Sequence, residues 1–104
     1  MTEKLHEDFV IEQLQDEKFA RIYLEGAMEE YLEDQDDEAL LLALRHVAKA
    51  KGGIAELAKK AHLNRESLYK TLSKKGNPRL KTFGAIIKAL GYKMSFVPDN
   101  ETAH

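Results

Sequence analysis

Between Gly53 and Leu72 the chain reads GIAELAKKAHLNRESLYKTL, the stretch that most narrows what it can fold into. Ile54, Leu57, Ala58 and Ala61 stand at i, i+3, i+4 and i+7, the spacing of one apolar helix face. His62 and Leu63 make a short corner, and Asn64 is a residue type that caps a helix start. RESLYKTLSK then reads as a second helix with Leu68 and Leu72 inward. Two short helices joined by a corner of three or four residues are a helix-turn-helix unit. Such a unit needs a small residue where the helices cross, and Ala58 supplies it. Leu57, Ala61, Leu63 and Leu68 stand at offsets that hold the pair together.

The outer face of that second helix carries Asn64, Arg65, Glu66, Tyr69 and Lys70. These are residue types that reach base edges in a major groove: Arg65 can fork onto guanine, Asn64 can pair with adenine, and Glu66 can accept from cytosine. Tyr69 and Lys70 suit backbone, thymine-methyl or water-mediated contact. Lys74, Lys75, Asn77, Arg79 and Lys81 flank the helix, and the amides of Gly53 and Ile54 open the preceding one, which makes all seven phosphate-contact candidates. For Glu66 the favoured reading is nevertheless structural, orienting Arg65 or pairing with Lys70 one turn on. Two positions depart from the usual pattern. His62 stands where such corners often carry glycine, and Thr71 where a β-branched apolar residue is common.

Charge supports a polyanion partner for this region. The formal net charge is only −2, but residues 1–38 hold 14 acidic and three basic side chains, whereas residues 39–104 hold 13 basic and four acidic. A basic half suggests nucleic acid, and an acidic half suggests a basic partner or internal screening. With no cysteine, disulfides and thiolate metal sites are excluded, in keeping with a reducing compartment. No apolar run is long enough to span a membrane and no leader opens the chain, so a soluble, cytoplasmic protein is expected. Catalysis finds little support: the four histidines lack metal-ligand spacing, the serines lack a nucleophile's context, and there is no Gly-rich phosphate loop. No enzyme, metal or cofactor is expected. His46 reads as a helix-surface or boundary residue.

Elsewhere the pattern is nearly all helical. Asp16 is positioned to cap a helix reaching about Glu33, with Phe19, Ile22, Tyr23, Ala27 and Tyr31 on one stripe and Leu24, Met28 and Leu32 on a second. Residues 5–14 read as either a short helix or an extended arm, because Leu5, Phe9, Val10, Ile11 and Leu14 fit neither period cleanly. Asp36 is the expected cap of the next helix, whose stripe is Leu40, Leu41, Leu44, Val47 and Ala48, and Gly52-Gly53 stops it. In KKGNP, Gly76 and Asn77 tolerate left-handed backbone and Pro78 forbids a continuing helix. Leu80, Phe83, Ile87 and Leu90 build a last helix ending at Gly91. YKMSFV (92–97) alternates like a short strand, able to pair with its copy across a two-fold axis, and residues 98–104 are expected to be disordered.

NRESLYKTLSKKGNPRLKTFGAIIKALGYKMSF, preceded by LLLALRHVAKAKGGIAELAKKAHL, resembles the Cro/C1-type helix-turn-helix of the addiction-module antidote family, HigA-like antitoxins paired with RelE-type toxins. The resemblance runs from about Asp16, through Tyr23-Leu24-Glu25, to Phe96. It implies a mostly α, lambda-repressor-like fold of about five helices with a short C-terminal β-strand. It further implies a protein that binds operator DNA, represses its own operon and neutralises a small basic ribonuclease toxin, and palindromic operators make a dimer the expectation on geometry. Residues 1–35 would form an acidic arm and helix for the toxin, 36–97 the DNA-binding domain and 98–104 the tail. Tyr23, Leu24, Glu25, Met28, Glu29, Tyr31 and Leu32 are the toxin-contact candidates, against the alternative that this stripe packs only on its own core. Two further functions stay open: a prophage-type regulator without a toxin, and a protein-binding adaptor.

Overall fold

Residues 2–99 are described by a computed structural model, and their regular structure is six helices: α1 Thr2–Gln13, α2 Glu17–Asp34, α3 Glu38–Ala50, α4 Ile54–Ala61, α5 Arg65–Thr71 and α6 Leu80–Ala89. The helix α3 is the hub. Leu40, Leu41, Ala43, Leu44, Val47 and Ala48 are buried along it, and it packs against α1, α2 and α4. Helix α4 packs in turn against α5 and α6. One continuous core results, in which Leu14 of the α1–α2 connection, Leu41, Leu44 and Val47 of α3, Leu68 and Leu72 of the α5 region and Ile86 of α6 are fully buried. Each such aliphatic side chain contributes roughly 1.5–3 kcal/mol by leaving water.

Local chemistry sets most of the boundaries. The Asp16 carboxylate accepts from the amides of Lys18 and Phe19 at 2.9 and 3.4 Å, so α2 starts where a capping side chain is available. Helix α3 ends at two glycines with φ of 113° and 100°, a region closed to most side chains, and the Gly53 amide donates to the Ala48 carbonyl at 2.8 Å. Asp36 does not occupy the cap position of α3, which falls to Asp37; instead the Asp36 carboxylate accepts from the Glu38 amide at 3.0 Å, one residue out of the expected register.

Contacts distant in sequence join these helices. The Lys51 ammonium at the end of α3 donates to both Glu17 carboxylate oxygens at 2.8 Å and to the Leu90 carbonyl at 3.1 Å, and it sits 4.9 Å from the centre of the Tyr92 ring. The Tyr92 hydroxyl completes the cluster by donating to Glu17 at 3.1 Å. These bonds from Lys51, then from Tyr92, hold the Glu17 carboxyl below its usual pKa. One lysine therefore ties the start of α2 to the end of α6.

Residues 5–14, open between a short helix and an extended arm, are helical to Gln13, with Val10 packed against the core and Leu14 buried in it, so the described residues form six helices rather than about five. Two further expectations are corrected. No strand forms among the described residues. The expected strand 92–97 is irregular, and Met94, Phe96 and Val97 are exposed. A strand exists only as a pair, and among the described residues of this single chain no other strand pairs with it. Of the tail expected to be disordered, Pro98 and Asp99 are exposed and lack regular structure, while residues 100–104 lie outside the described residues. His46 is the second of these. It is buried rather than on the surface, 2.8 Å from the Tyr23 hydroxyl through Nδ1.

Candidate nucleic-acid interface

Helices α4 and α5 are joined by His62, Leu63 and Asn64. His62 takes the left-handed conformation (φ 58°, ψ 42°) that a glycine at this corner would take more easily. Its amide and that of Leu63 donate back to Lys59 and Ala58, closing α4. The Asn64 side chain accepts from the Ser67 amide at 3.0 Å and so starts α5. Ala58 and Leu57 of α4 and Leu68 of α5 are buried at the junction, with Leu63 half-buried beside them. The small residue at Ala58 lets α5 approach.

With Leu68 turned inward, Asn64, Arg65, Glu66, Tyr69 and Lys70 are all exposed. Asn64 uses its side-chain oxygen for the cap, which leaves its amide nitrogen for an outside partner. No partner draws Arg65 or Lys70 toward the core. The two turns of α5 thus present two cations, a carboxylate, an amide and a phenol to solvent from a well-anchored backbone.

The segment after α5 extends this surface. Helix α5 stops at Thr71, earlier than the sequence spacing suggests, and the Ser73 hydroxyl donates to the Lys70 carbonyl at 2.7 Å. Gly76 is needed here for close approach rather than for left-handed backbone. A Cβ at this position would run into the Thr71 carbonyl oxygen, and neither Gly76 nor Asn77 has positive φ. The tight turn leaves Lys74, Lys75, Asn77, Arg79 and Lys81 exposed. Ile54 is buried at the opening of α4, and the Gly53 amide is already spent on Ala48. From Lys59 to Lys93 the chain holds ten basic residues and one acidic, Glu66. Such a field attracts polyanions over distances near the Debye length.

Arg45 supports this surface and was not singled out by the sequence. Half-buried on α3, it donates through Nη1 to the Leu72 carbonyl at 2.6 Å. That carbonyl lies at the C-terminal end of α5, where unpaired carbonyls gather partial negative charge. The bond spans 27 residues, so only tertiary structure could reveal it.

The acidic end of the molecule is organised differently. Of the seven α2 candidates, Tyr23, Leu24, Met28 and Tyr31 are half-buried and pack on the core, whereas Glu25, Glu29 and Leu32 are exposed. The Tyr23 ring stacks on Phe19 and on His46 with centroids 6.3 and 6.1 Å apart. Burial pushes the His46 pKa below the ordinary imidazole value; Glu7 opposes that shift, while Arg45, Lys49 and His6 add to it. Burial likewise raises the Tyr23 phenol. On the outward side of the same helix Gly26 is exposed and helical, and a Cβ there would touch nothing within 4 Å. Glycine in a helix interior costs about 1 kcal/mol relative to alanine, and no packing within the chain requires it here.

Residues 5–98 match the family described as "Probable addiction module antidote protein". A relative from Haemophilus influenzae, an uncharacterized protein, is 38% identical over 90 residues, covering 86% of this chain and 88% of that protein. No solved structure matches the chain.

Proposed function

We propose a function from one established premise: the chain belongs to the family of probable addiction-module antidote proteins. An antidote implies a toxin as partner. On this proposal the protein is an antitoxin of a type II toxin–antitoxin module. It neutralises a small basic, RelE-like ribonuclease by direct binding and represses its own operon through a helix-turn-helix made of α4 and α5. The observation that carries the DNA half is the exposed face of Asn64, Arg65, Glu66, Tyr69 and Lys70, anchored from behind by buried Leu68 and flanked by a basic turn.

Arg65 and Lys70 are the base-reading cations, with Tyr69 and Asn64 beside them, while Lys74, Lys75, Asn77, Arg79 and Lys81 set register on the phosphates. At the opening of α4 the phosphate-contact role falls to the Ile54 backbone amide alone, since the Gly53 amide is bound to Ala48. Glu66 sits one turn before Lys70, where a carboxylate also keeps that ammonium in place. Palindromic operators suit a two-fold protein. The exposed Met94, Phe96 and Val97 offer a second copy apolar surface for such a dimer. The acidic helices face away in charge from DNA and suit a basic toxin.

The test has two arms. A promoter fragment from the protein's own operon is titrated at several salt concentrations, and log K is expected to fall linearly with log salt, steeply enough for several phosphate contacts. The product of the adjacent gene is co-expressed, and relief of its growth arrest together with co-purification is expected. Salt-independent or absent promoter binding removes the repressor role; an adjacent product that neither binds nor arrests growth removes the toxin role.

A further inference from the structure

The outward stripe of α2 is Ile22, Glu25, Gly26, Glu29, Leu32 and Glu33, spaced at three and four residues. All six are exposed, Ile22 at 51% and Leu32 at 63%. Ile22, Glu25, Gly26, Met28 and Glu29 line an open groove of about 490 Å³ on this face. Gly26 is its floor. Glycine is the poorest helix former after proline, and neither backbone conformation nor a neighbouring atom of this chain calls for it. Its value must therefore lie outside the chain, in letting another backbone come close to the helix.

We propose that this groove is where the toxin docks, with a basic main-chain segment laid across Gly26, its apolar side against Ile22 and Met28, and a lysine or arginine between Glu25 and Glu29. The inference rests on the antitoxin reading for the identity of the partner, and it moves the contact surface away from Tyr23, Leu24 and Tyr31. Charge selects the occupant. From Ile22 to Glu38 the chain holds eight acidic residues and no basic one. A second copy of α2 would meet this face with like charge, and DNA would be repelled. Among the described residues Arg21 pairs with Glu25, at 3.8 Å with both side chains exposed, and Glu29 stands in no ion pair there. Exposed Leu32 lies ten residues, about 15 Å, beyond Ile22 along the helix and extends the same apolar edge.

The test uses the full chain and the purified product of the adjacent gene, with affinity read by calorimetry and operator binding measured in parallel. Gly26→Ala is expected to raise Tm, because helix propensity improves and nothing is struck, while weakening toxin binding. Gly26→Leu fills the groove and is expected to weaken toxin binding at least tenfold, and Glu29→Lys to weaken it and flatten its salt dependence. Operator affinity is expected to stay within twofold for all three. Variants that bind the toxin as the unaltered chain does would overturn the groove and leave the antitoxin reading standing. An unaltered chain that does not bind the adjacent product overturns both. Loss of a homodimer by Gly26→Leu in sedimentation would make the occupant a second copy and also overturn the inference.

Discussion

The acidic and basic regions of this molecule share one core but are held together by different means. Helices α1 and α2 meet α3 through polar contacts between residues far apart in sequence: Tyr23 with His46 at 2.8 Å, Lys49 with Glu7 at 2.6 Å, and Lys51 with Glu17 at 2.8 Å. Helices α4 and α5 are joined by buried aliphatic side chains, a left-handed corner and a cap, all within a few residues. Their exposed faces differ in turn. The basic region turns almost all of its charge outward, while the acidic region commits some of its carboxylates to ion pairs inside the molecule. The helices that sit on α3 commit part of their charge to that docking, whereas the exposed face of α5 has no comparable task within the described residues.

The most severe way to break this comparison is at Leu68, the apolar anchor of α5. Leu68→Ala is expected to cost about 2–5 kcal/mol, read by urea denaturation, and to abolish operator binding at temperatures where the variant is partly unfolded. A loss well under 1 kcal/mol would mean that α5 is not held by its apolar face. Next in size is the polar joint of the other region. Tyr23→Phe leaves His46 Nδ1 buried without its partner and is expected to cost about 1–3 kcal/mol in the same experiment, with operator affinity of the folded protein unchanged.

Comparable in energy but seen only in binding, Arg65→Ala is expected to weaken the operator complex by about 5- to 150-fold, the equivalent of about 1–3 kcal/mol for a lost base contact. Its urea midpoint should not move. Unchanged affinity in a promoter titration would take Arg65 out of the base-reading set.

Acidity separates the two regions more gently. The folded pKa of His46 is depressed, so below about pH 6.5 the unfolded chain binds a proton that the folded chain resists. Stability from this group is therefore complete above that pH and declines as pH falls through it. Glu7, whose carboxyl is lowered by its bond from Lys49, adds a second loss only below about pH 4.5. Urea midpoints between pH 7.5 and 5.5 should fall for the natural chain and stay level for His46→Asn. Amide shifts in NMR spectra should move first in α1 to α3 and not in α5. The smallest effect is expected from Lys75→Ala, which should reduce the slope of log K against log salt by about 0.9 and leave stability unchanged.

How much of this was legible beforehand divides along sequence separation. The caps at Asp16 and Asn64, the glycine stop at Gly52-Gly53, and the inward stripes of α3, α4 and α5 depend on residues within one or two turns, and periodicity found them. So was the outward face of α5, because burying Leu68 fixes where Arg65 and Lys70 point. The Gly76 turn was placed correctly for a different reason from the one expected, since its need is steric clearance at Thr71. His46 was misjudged because its partner, Tyr23, lies 23 residues earlier. The strand expected at 92–97 is not seen for a related reason: alternation supplies a half-buried face, but pairing needs a second edge that the described residues of a single chain do not provide.

By itself, then, the sequence determined five of the six helical segments and left α1 open, along with the corner between α4 and α5, the division of charge, and the set of side chains turned outward on α5. These follow from backbone hydrogen bonding and side-chain period, which act over a few residues. Only the tertiary structure decided that His46 is buried, that Arg45 closes the end of α5, that Lys51 joins α2 to α6, and that Gly26 is left open on the outer face of α2. Those are packing outcomes: each depends on which distant helix arrives against a given face, and no local spacing carries that information.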